Sequence, residues 1–372
     1  MSKIYQIGRA WKGFPALRYL VIFGDSYSDV GLQYARTIPS AVQPLGAKFP
    51  GLTFAEVDQP NWVGHLITKY SPPPRFDPSV KEDELDPVYL DSPLLVYDYA
   101  VGGVTVAGVR NQVEKSFLSL KPTSTIWNAE DTLFITWVGI NDVGRNAEPV
   151  AAIDELFSIQ EMLFNAGARN LLFIDVPPIQ HSPAWSAGPS PQSTDRYQKW
   201  NTVLYHAIQK FCETHGDTSV FLFSSYQLFD AFLSRPQQFN LNPEDVHKPA
   251  GDIWIDHLHP TSKVHDIIAS NLASFLEQIQ PPNLEIPRDF RVLLHFNGLV
   301  VFFVWYNCLS VLAVKNVDRN LLCCESLSHG LNRLYSSRYS VQGLFKSSAC
   351  GSFLAVEGPK TCTYLNSDLH TF

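Results

Sequence analysis

The sequence predicts an α/β fold of three layers, α/β/α, around a central parallel sheet of about five strands. Three observations predict it. Short apolar runs of strand length alternate with longer segments whose apolar residues recur at helical spacing. Three of those runs end in Gly-, Ser- or Asn-bearing turns. The alternation stops abruptly at Pro281-Pro282.

Taken in order, the strand candidates are residues 19–23, 94–99, 132–137, 170–176 and 219–224. Each is apolar without strict alternation, as expected for strands covered on both faces. Helical segments are predicted over 151–166, stopping at Gly167, over 194–214, ending before Gly216, and over 261–278, which starts after Pro260. The last carries Val264, Ile267, Ile268, Leu272, Phe275, Leu276 and Ile279 on one broad face. Two long connections, 38–60 and 71–93, are rich in Pro, Gly and Asp and lie between the first and second strands. Segments of that length shape the mouth of a site.

Composition narrows the class. Hydrophobic residues make up 45% and charged residues 17% of 372 residues, which excludes global disorder. A net charge of −8 with no basic motif argues against a nucleic-acid partner. No Walker A or G-x-G-x-x-G loop occurs, so no nucleotide cofactor is expected.

Candidate chemistry lies at the strand ends. Phe23-Gly24-Asp25-Ser26-Tyr27-Ser28-Asp29 follows the first strand, and Asp256-His257-Leu258-His259-Pro260 lies far downstream. A serine hydroxyl is a weak nucleophile that needs a base, and the base needs an orienting partner. Ser26, His259 and Asp256 supply those three types, with Asp and His on one short loop. Val101-Gly102-Gly103 and Gly139-Ile140-Asn141-Asp142 follow two further strands. A glycine N–H and an Asn amide there, with the N–H of Ser26, would form an oxyanion hole. A metal reading of Asp256, His257 and His259 lacks a nearby cysteine or further acidic cluster. Trp62, Trp185 and Trp254 border the loops and are candidates either for stacking on a sugar ring or for core packing.

These four ordered blocks resemble the SGNH/GDSL hydrolase superfamily. The finer resemblance, through Phe23–Asp29, Asn61-Trp62, Tyr99–Gly103 and Trp137–Asp142, is to fungal carbohydrate esterase family 16, the acetylesterases. The resemblance covers roughly residues 17–281. It implies a flavodoxin-like sheet, with Ser26 as nucleophile, His259 as general base and Asp256 as its orienter. It also implies an oxyanion hole of Ser26, Gly103 and Asn141, with Gly102 ranked below Gly103. Asp25 would brace the turn, while Ser28 and Asp29 would open a following helix. The implied activity is removal of O-acetyl groups from short carbohydrates, with no metal or organic cofactor. The partner would be a small-molecule or oligosaccharide ester. A longer-chain acyl esterase of the same superfamily and a non-catalytic carbohydrate-binding protein are the alternatives. Oligomeric state is not legible.

The expected organisation is an N-terminal segment 1–16, an esterase domain 17–281 and an extension 282–372. The extension differs in kind. Up to residue 282 the net charge is −10, and beyond it +2. Five of the six cysteines lie there, at 308, 323, 324, 350 and 362, in no metal-ligand spacing. It reads as sequence foreign to the domain, such as a translated intron. A 23-residue run free of Asp, Glu, Lys and Arg, 292–314, is a candidate membrane span and the only one. Met1–Leu20 has no apolar core of a signal peptide. The expectation is an intracellular protein as written, or a secreted one if the start is misassigned.

Overall fold

The computed structural model describes residues 1–34, 37–72, 75–119, 127–185, 191–282, 293–296, 299–306 and 309–316. It comprises two units, Met1–Asn283 and Leu284–Phe372.

In the first unit a six-stranded sheet has the order β1-β6-β5-β4-β2-β3. The strands are β1 (Lys3–Gln6), β2 (Tyr19–Gly24), β3 (Leu95–Asp98), β4 (Thr132–Trp137), β5 (Asn170–Ile174) and β6 (Ser219–Phe223). β2 through β6 are the five strands expected from the sequence, all parallel to one another. Every residue of β4, β5 and β6 is buried. That explains their unbroken apolar runs, since each has a helical layer on both sides.

β1 is the departure. Residues 1–16 were expected to precede the domain, yet Lys3–Gln6 pairs antiparallel with β6. The strand is only four residues long, half-exposed and irregular between Ile4 and Gln6, so it has no periodicity to read. Gln6 Nε2 donates to the Thr218 carbonyl at 2.8 Å, and Trp11 Nε1 donates to the Ile279 carbonyl at 2.9 Å.

Eight α-helices are described: α1 (Trp62–His65), α2 (Pro87–Asp91), α3 (Val106–Asn111), α4 (Ile140–Gly144), α5 (Pro149–Asn165), α6 (Pro191–Thr214), α7 (Ser225–Ser234) and α8 (Ser262–Glu277). The three predicted helices are α5, α6 and α8. Their starts follow local chemistry. Pro149 opens α5 behind the Glu148 carboxylate, which accepts the Ala151 N–H at 2.8 Å. Thr261 caps α8 by accepting the Val264 N–H at 3.3 Å.

Chain direction sorts the layers. The step from β2 to β3 runs toward one sheet edge, while β3 to β4, β4 to β5 and β5 to β6 run toward the other. Right-handed crossovers then put α1 on one face and α3, α5 and α6 on the opposite face. Consistently, α1 packs on α8, and α5 packs on both α3 and α6. The direction reverses between β2 and β4, a crevice where ligands bind in open parallel sheets.

The second unit contains β7 (Leu293–Phe296), β8 (Leu299–Tyr306) and β9 (Leu309–Asn316) as an antiparallel meander. The candidate membrane span 292–314 therefore falls on strands rather than on one helix. The run is rich in Val, Phe, Trp and Tyr, which favour strands. No helix among the described residues is long and apolar enough to cross a membrane. The five tail cysteines lie outside the described residues.

A chain ended after Asn283 should unfold in one cooperative transition, with Tm within about 3 °C of the full chain. Removing Met1–Gly8 as well should lower Tm clearly, because it strips β1 from β6. Thermal unfolding followed by circular dichroism checks both; loss of cooperativity in the first variant would show that the tail belongs to the folding unit.

Candidate active site

Four segments meet beyond the carboxyl ends of β2, β3 and β4. The first is the turn leaving β2. Its backbone is bracketed at Gly24, where the Gln112 side-chain amide donates to the carbonyl at 2.8 Å and accepts the N–H at 3.0 Å. Asp25 follows, and its Oδ1 accepts the Tyr27 N–H at 3.1 Å. The N–H groups of Ser28 and Asp29 return to the Asp25 carbonyl, each at 3.1 Å. Asp25 thus braces the turn that presents Ser26, which is only 5% exposed.

The helix expected from Ser28 and Asp29 is absent; only a single 3-10 turn occurs at Leu32–Tyr34. Their polar atoms are used elsewhere. Ser28 Oγ accepts the Trp62 indole N–H at 3.2 Å. Asp29 accepts the Gly31 N–H at 2.7 Å and the Gly102 N–H at 2.8 Å. Asp29 therefore fastens the post-β3 loop to the serine turn.

The second segment is Asp256–His259, ahead of α8. Asp256 Oδ1 accepts the N–H groups of Leu258 and His259, both at 2.7 Å, which curls the loop around the carboxylate. Its Oδ2 lies 2.7 Å from His259 Nδ1, and His259 Nε2 lies 2.9 Å from Ser26 Oγ. Partial burial works against the Asp256 charge. The hydrogen bonds from the His259 N–H, the His259 ring and the Leu258 N–H outweigh it and hold the carboxyl below its ordinary range. An ionised carboxylate only accepts hydrogen bonds, so Nδ1 carries the ring proton and Nε2 is left to accept from the Ser26 hydroxyl.

Tyr27 joins these two segments. Its hydroxyl donates to the Leu258 carbonyl at 2.7 Å, across 231 residues of sequence. The ring is 1% exposed, lies edge-on to Trp137 and stacks near Phe229. His265 lies edge-on to Tyr27, with ring centroids 6.3 Å apart. Burial, reinforced by the His65 and His259 charges, pushes it down to about 3, so it stays neutral.

The third segment is Gly102-Gly103. Gly103 sits at φ 76°, a left-handed conformation that glycine adopts freely. Its carbonyl accepts from Arg145 at 2.9 Å. The N–H groups of Ser26 and Gly103 have no acceptor among the described residues, whereas that of Gly102 is taken by Asp29. The ranking of Gly103 over Gly102 thus has a physical basis. The fourth segment is Asn141, in the first turn of α4. Its Nδ2 donates to the Val104 carbonyl at 3.0 Å and, more loosely, to Asp25 Oδ2 at 3.3 Å.

Two of the tryptophans considered for stacking lie in the core instead. Trp62 and Trp254 are fully buried, with their indole N–H groups bonded to Ser28 Oγ and the Val246 carbonyl. Trp185 is half-buried against the core. The aromatic side chain that does border the site is Phe54, whose ring centroid is 5.0 Å from that of His259. Sequence alone offered no signal for it, since it lies in the aperiodic 38–60 segment.

Among the described residues no cluster of three His, Cys, Asp or Glu side chains is arranged to hold a metal. The arrangement can pass a proton from Ser26 Oγ to His259 Nε2 and offers unpaired N–H donors nearby. That is the equipment of acyl transfer.

A family model described as GDSL-like Lipase/Acylhydrolase matches residues 20–272. An acetylesterase of Thermothelomyces thermophilus is 28% identical over 284 residues, covering 69% of this chain and 87% of that protein. Among solved structures, the acetylxylan esterase Axe2 of Geobacillus stearothermophilus is 15% identical, with a TM-score of 0.45 over 72% of this chain and 96% of that one. A member of the lipolytic G-D-S-L family from Veillonella parvula is 12% identical, with a TM-score of 0.39 over 70% of this chain and 99% of that one.

Asp25 yields a test of this electrostatic account. Burial, opposed by the Tyr27 N–H and reinforced by the Asp142 charge, pushes its carboxyl up to about 7. The native state then holds a proton that the unfolded chain releases near pH 4. The stability Asp25 lends is complete below that pH and is lost as pH rises to about 7. The Tm of Asp25→Asn relative to wild type should therefore rise from about pH 5 to about pH 8. A difference that does not vary with pH would show that Asp25 is not the titrating group.

Proposed function

We propose that this chain, which belongs to the GDSL-like lipase/acylhydrolase family and is a carboxylic ester hydrolase, removes O-acetyl groups from short carbohydrates. The observation that carries the chemistry is the continuous relay from Asp256 through His259 to Ser26, with both links under 3 Å. The observation that favours acetyl is the likeness to the acetylesterase named above.

In this reading Ser26 Oγ attacks the ester carbonyl carbon while His259 Nε2 takes the hydroxyl proton. Asp256 remains ionised and stabilises the imidazolium that forms. The carbonyl oxygen becomes an oxyanion. The N–H groups of Ser26 and Gly103, which have no acceptor among the described residues, would receive it together with the Asn141 amide. The shorter bond to Val104 fixes the plane of that amide, and the longer contact with Asp25 is the one an oxyanion would replace. His259 returns its proton to the alkoxide as the C–O bond breaks, releasing the alcohol and leaving acetyl on Ser26. Water, deprotonated by His259, then attacks the acyl carbon. Acetate departs and Ser26 regains its proton.

Hydrolysis of 4-nitrophenyl acetate, butyrate and octanoate, with Ser26→Ala alongside, tests this directly. The expected order is acetate first and octanoate last, with activity lost in the variant. Preference for octanoate would instead identify a longer-chain acyl esterase. A folded protein inactive on every ester would fit a binding protein. Asn141→Ala should lower kcat about a hundredfold with KM nearly unchanged, because the amide serves the transition state. An unchanged kcat would remove Asn141 from the oxyanion hole.

A further inference from the structure

We propose that Phe54 determines alcohol specificity, its partly exposed ring serving as the platform on which the sugar ring of the ester rests. The inference builds on the acetylesterase reading and names the group that selects its leaving alcohol.

Phe54 lies in the segment between β2 and α1 and is 39% exposed. Its ring is inclined 31° to the His259 imidazole, with centroids 5.0 Å apart. It also presses on Gly102. A Cβ added there would meet Phe54 Cε2 at 2.7 Å and Cζ closer still, so only glycine leaves room for the ring. One aromatic side chain therefore touches both the base and the glycine next to the free Gly103 N–H. Tyr27, 6.2 Å from the imidazole, backs it from the buried side.

This position bears on the alcohol rather than the acyl group. His259 Nε2 must come within hydrogen-bond reach of the leaving oxygen to protonate it. The alcohol part of the ester consequently lies beside His259, where Phe54 offers an apolar face. A pyranose presents a face of C–H groups around its hydroxyl rim, which suits a flat aromatic surface.

The platform is held in place before any substrate arrives. The Leu52 N–H donates to the Val30 carbonyl at 2.9 Å, and Thr53 Oγ1 donates to the Gln59 carbonyl at 2.8 Å. Glu56 Oε2 accepts the Ser262 N–H at 2.7 Å, which ties the segment to the start of α8. These bonds hold the chain on both sides of Phe54, so less backbone freedom is lost on binding. Leu52 and Val57, exposed by 66% and 89%, are further apolar side chains on this segment.

The experiment compares kcat/KM of wild type, Phe54→Ala and Phe54→Tyr on an O-acetylated methyl xyloside, ethyl acetate and 4-nitrophenyl butyrate. Phe54→Ala should lose about tenfold on the xyloside, mainly through KM, and change by less than about twofold on ethyl acetate. Phe54→Tyr, which keeps the ring, should stay near wild type on both. An equal loss on xyloside and ethyl acetate would make Phe54 only a support for His259 and overturn the platform. A gain on butyrate would make it a wall of the acyl pocket, also overturning it. If wild type cleaves ethyl acetate but not the xyloside, the carbohydrate reading itself fails and the platform with it. If wild type cleaves both and Phe54→Ala is unchanged on the xyloside, only the platform fails.

Discussion

The hydrogen bond from the Tyr27 hydroxyl to the Leu258 carbonyl joins the two halves of the site. Ser26 lies in the turn after β2 and His259 in the loop before α8, so nothing local in the chain brings them together. Tyr27 is the residue after the serine, and it reaches the residue before the histidine. Its ring is locked against Trp137 and Phe229, and its hydroxyl is satisfied by that one carbonyl. A shift of this tie would open the 2.9 Å link between Ser26 and His259. Proton transfer depends steeply on such distances.

The remaining groups inherit their positions from the same crevice. Ser26, Gly103 and Asn141 follow β2, β3 and β4, the three strands that flank the reversal of chain direction. Cross-ties among their loops keep them in register: Asp29 to Gly102, Arg145 to Gly103, and Asn141 to both Val104 and Asp25. The buried carboxyls of Asp25 and Asp29 act through these backbone contacts. In the proposed reaction they position donors, and the chemistry falls to Ser26, His259 and the exposed Asp256.

Much of this was legible in the sequence because it rests on short-range rules. Predominantly apolar runs marked β2 to β6, most clearly β4, β5 and β6, in which every residue is buried. Helical periodicity marked α5, α6 and α8. The order of Ser26, Gly103, Asn141, Asp256 and His259, each in a turn beyond a strand or in a loop, marked the candidate site, and the structure brings Ser26, His259 and Asp256 within hydrogen-bond reach. What was missed rests on long-range contacts. β1 is too short to show a period, and only its pairing with β6 identifies it. Ser28 and Asp29 have capping chemistry, but partners at Trp62 and Gly102 take up their oxygens. Trp62 and Trp254 border loops in sequence yet fill the core in space. Phe54 sits in a segment with no periodicity, and only the fold brings its ring to 5.0 Å from that of His259. The run 292–314 has the length of a membrane helix, but its β-branched and aromatic residues form strands.

The central claim is that Ser26 carries the acetyl group between two half-reactions. The most direct measurement is intact-protein mass spectrometry of acid-quenched enzyme during turnover of an aryl acetate, followed by peptide mapping. The account predicts a transient gain of one acetyl group, located on Ser26 and absent from Ser26→Ala. Steady turnover with the acetyl group found on another residue, or undiminished turnover by Ser26→Ala, would contradict it.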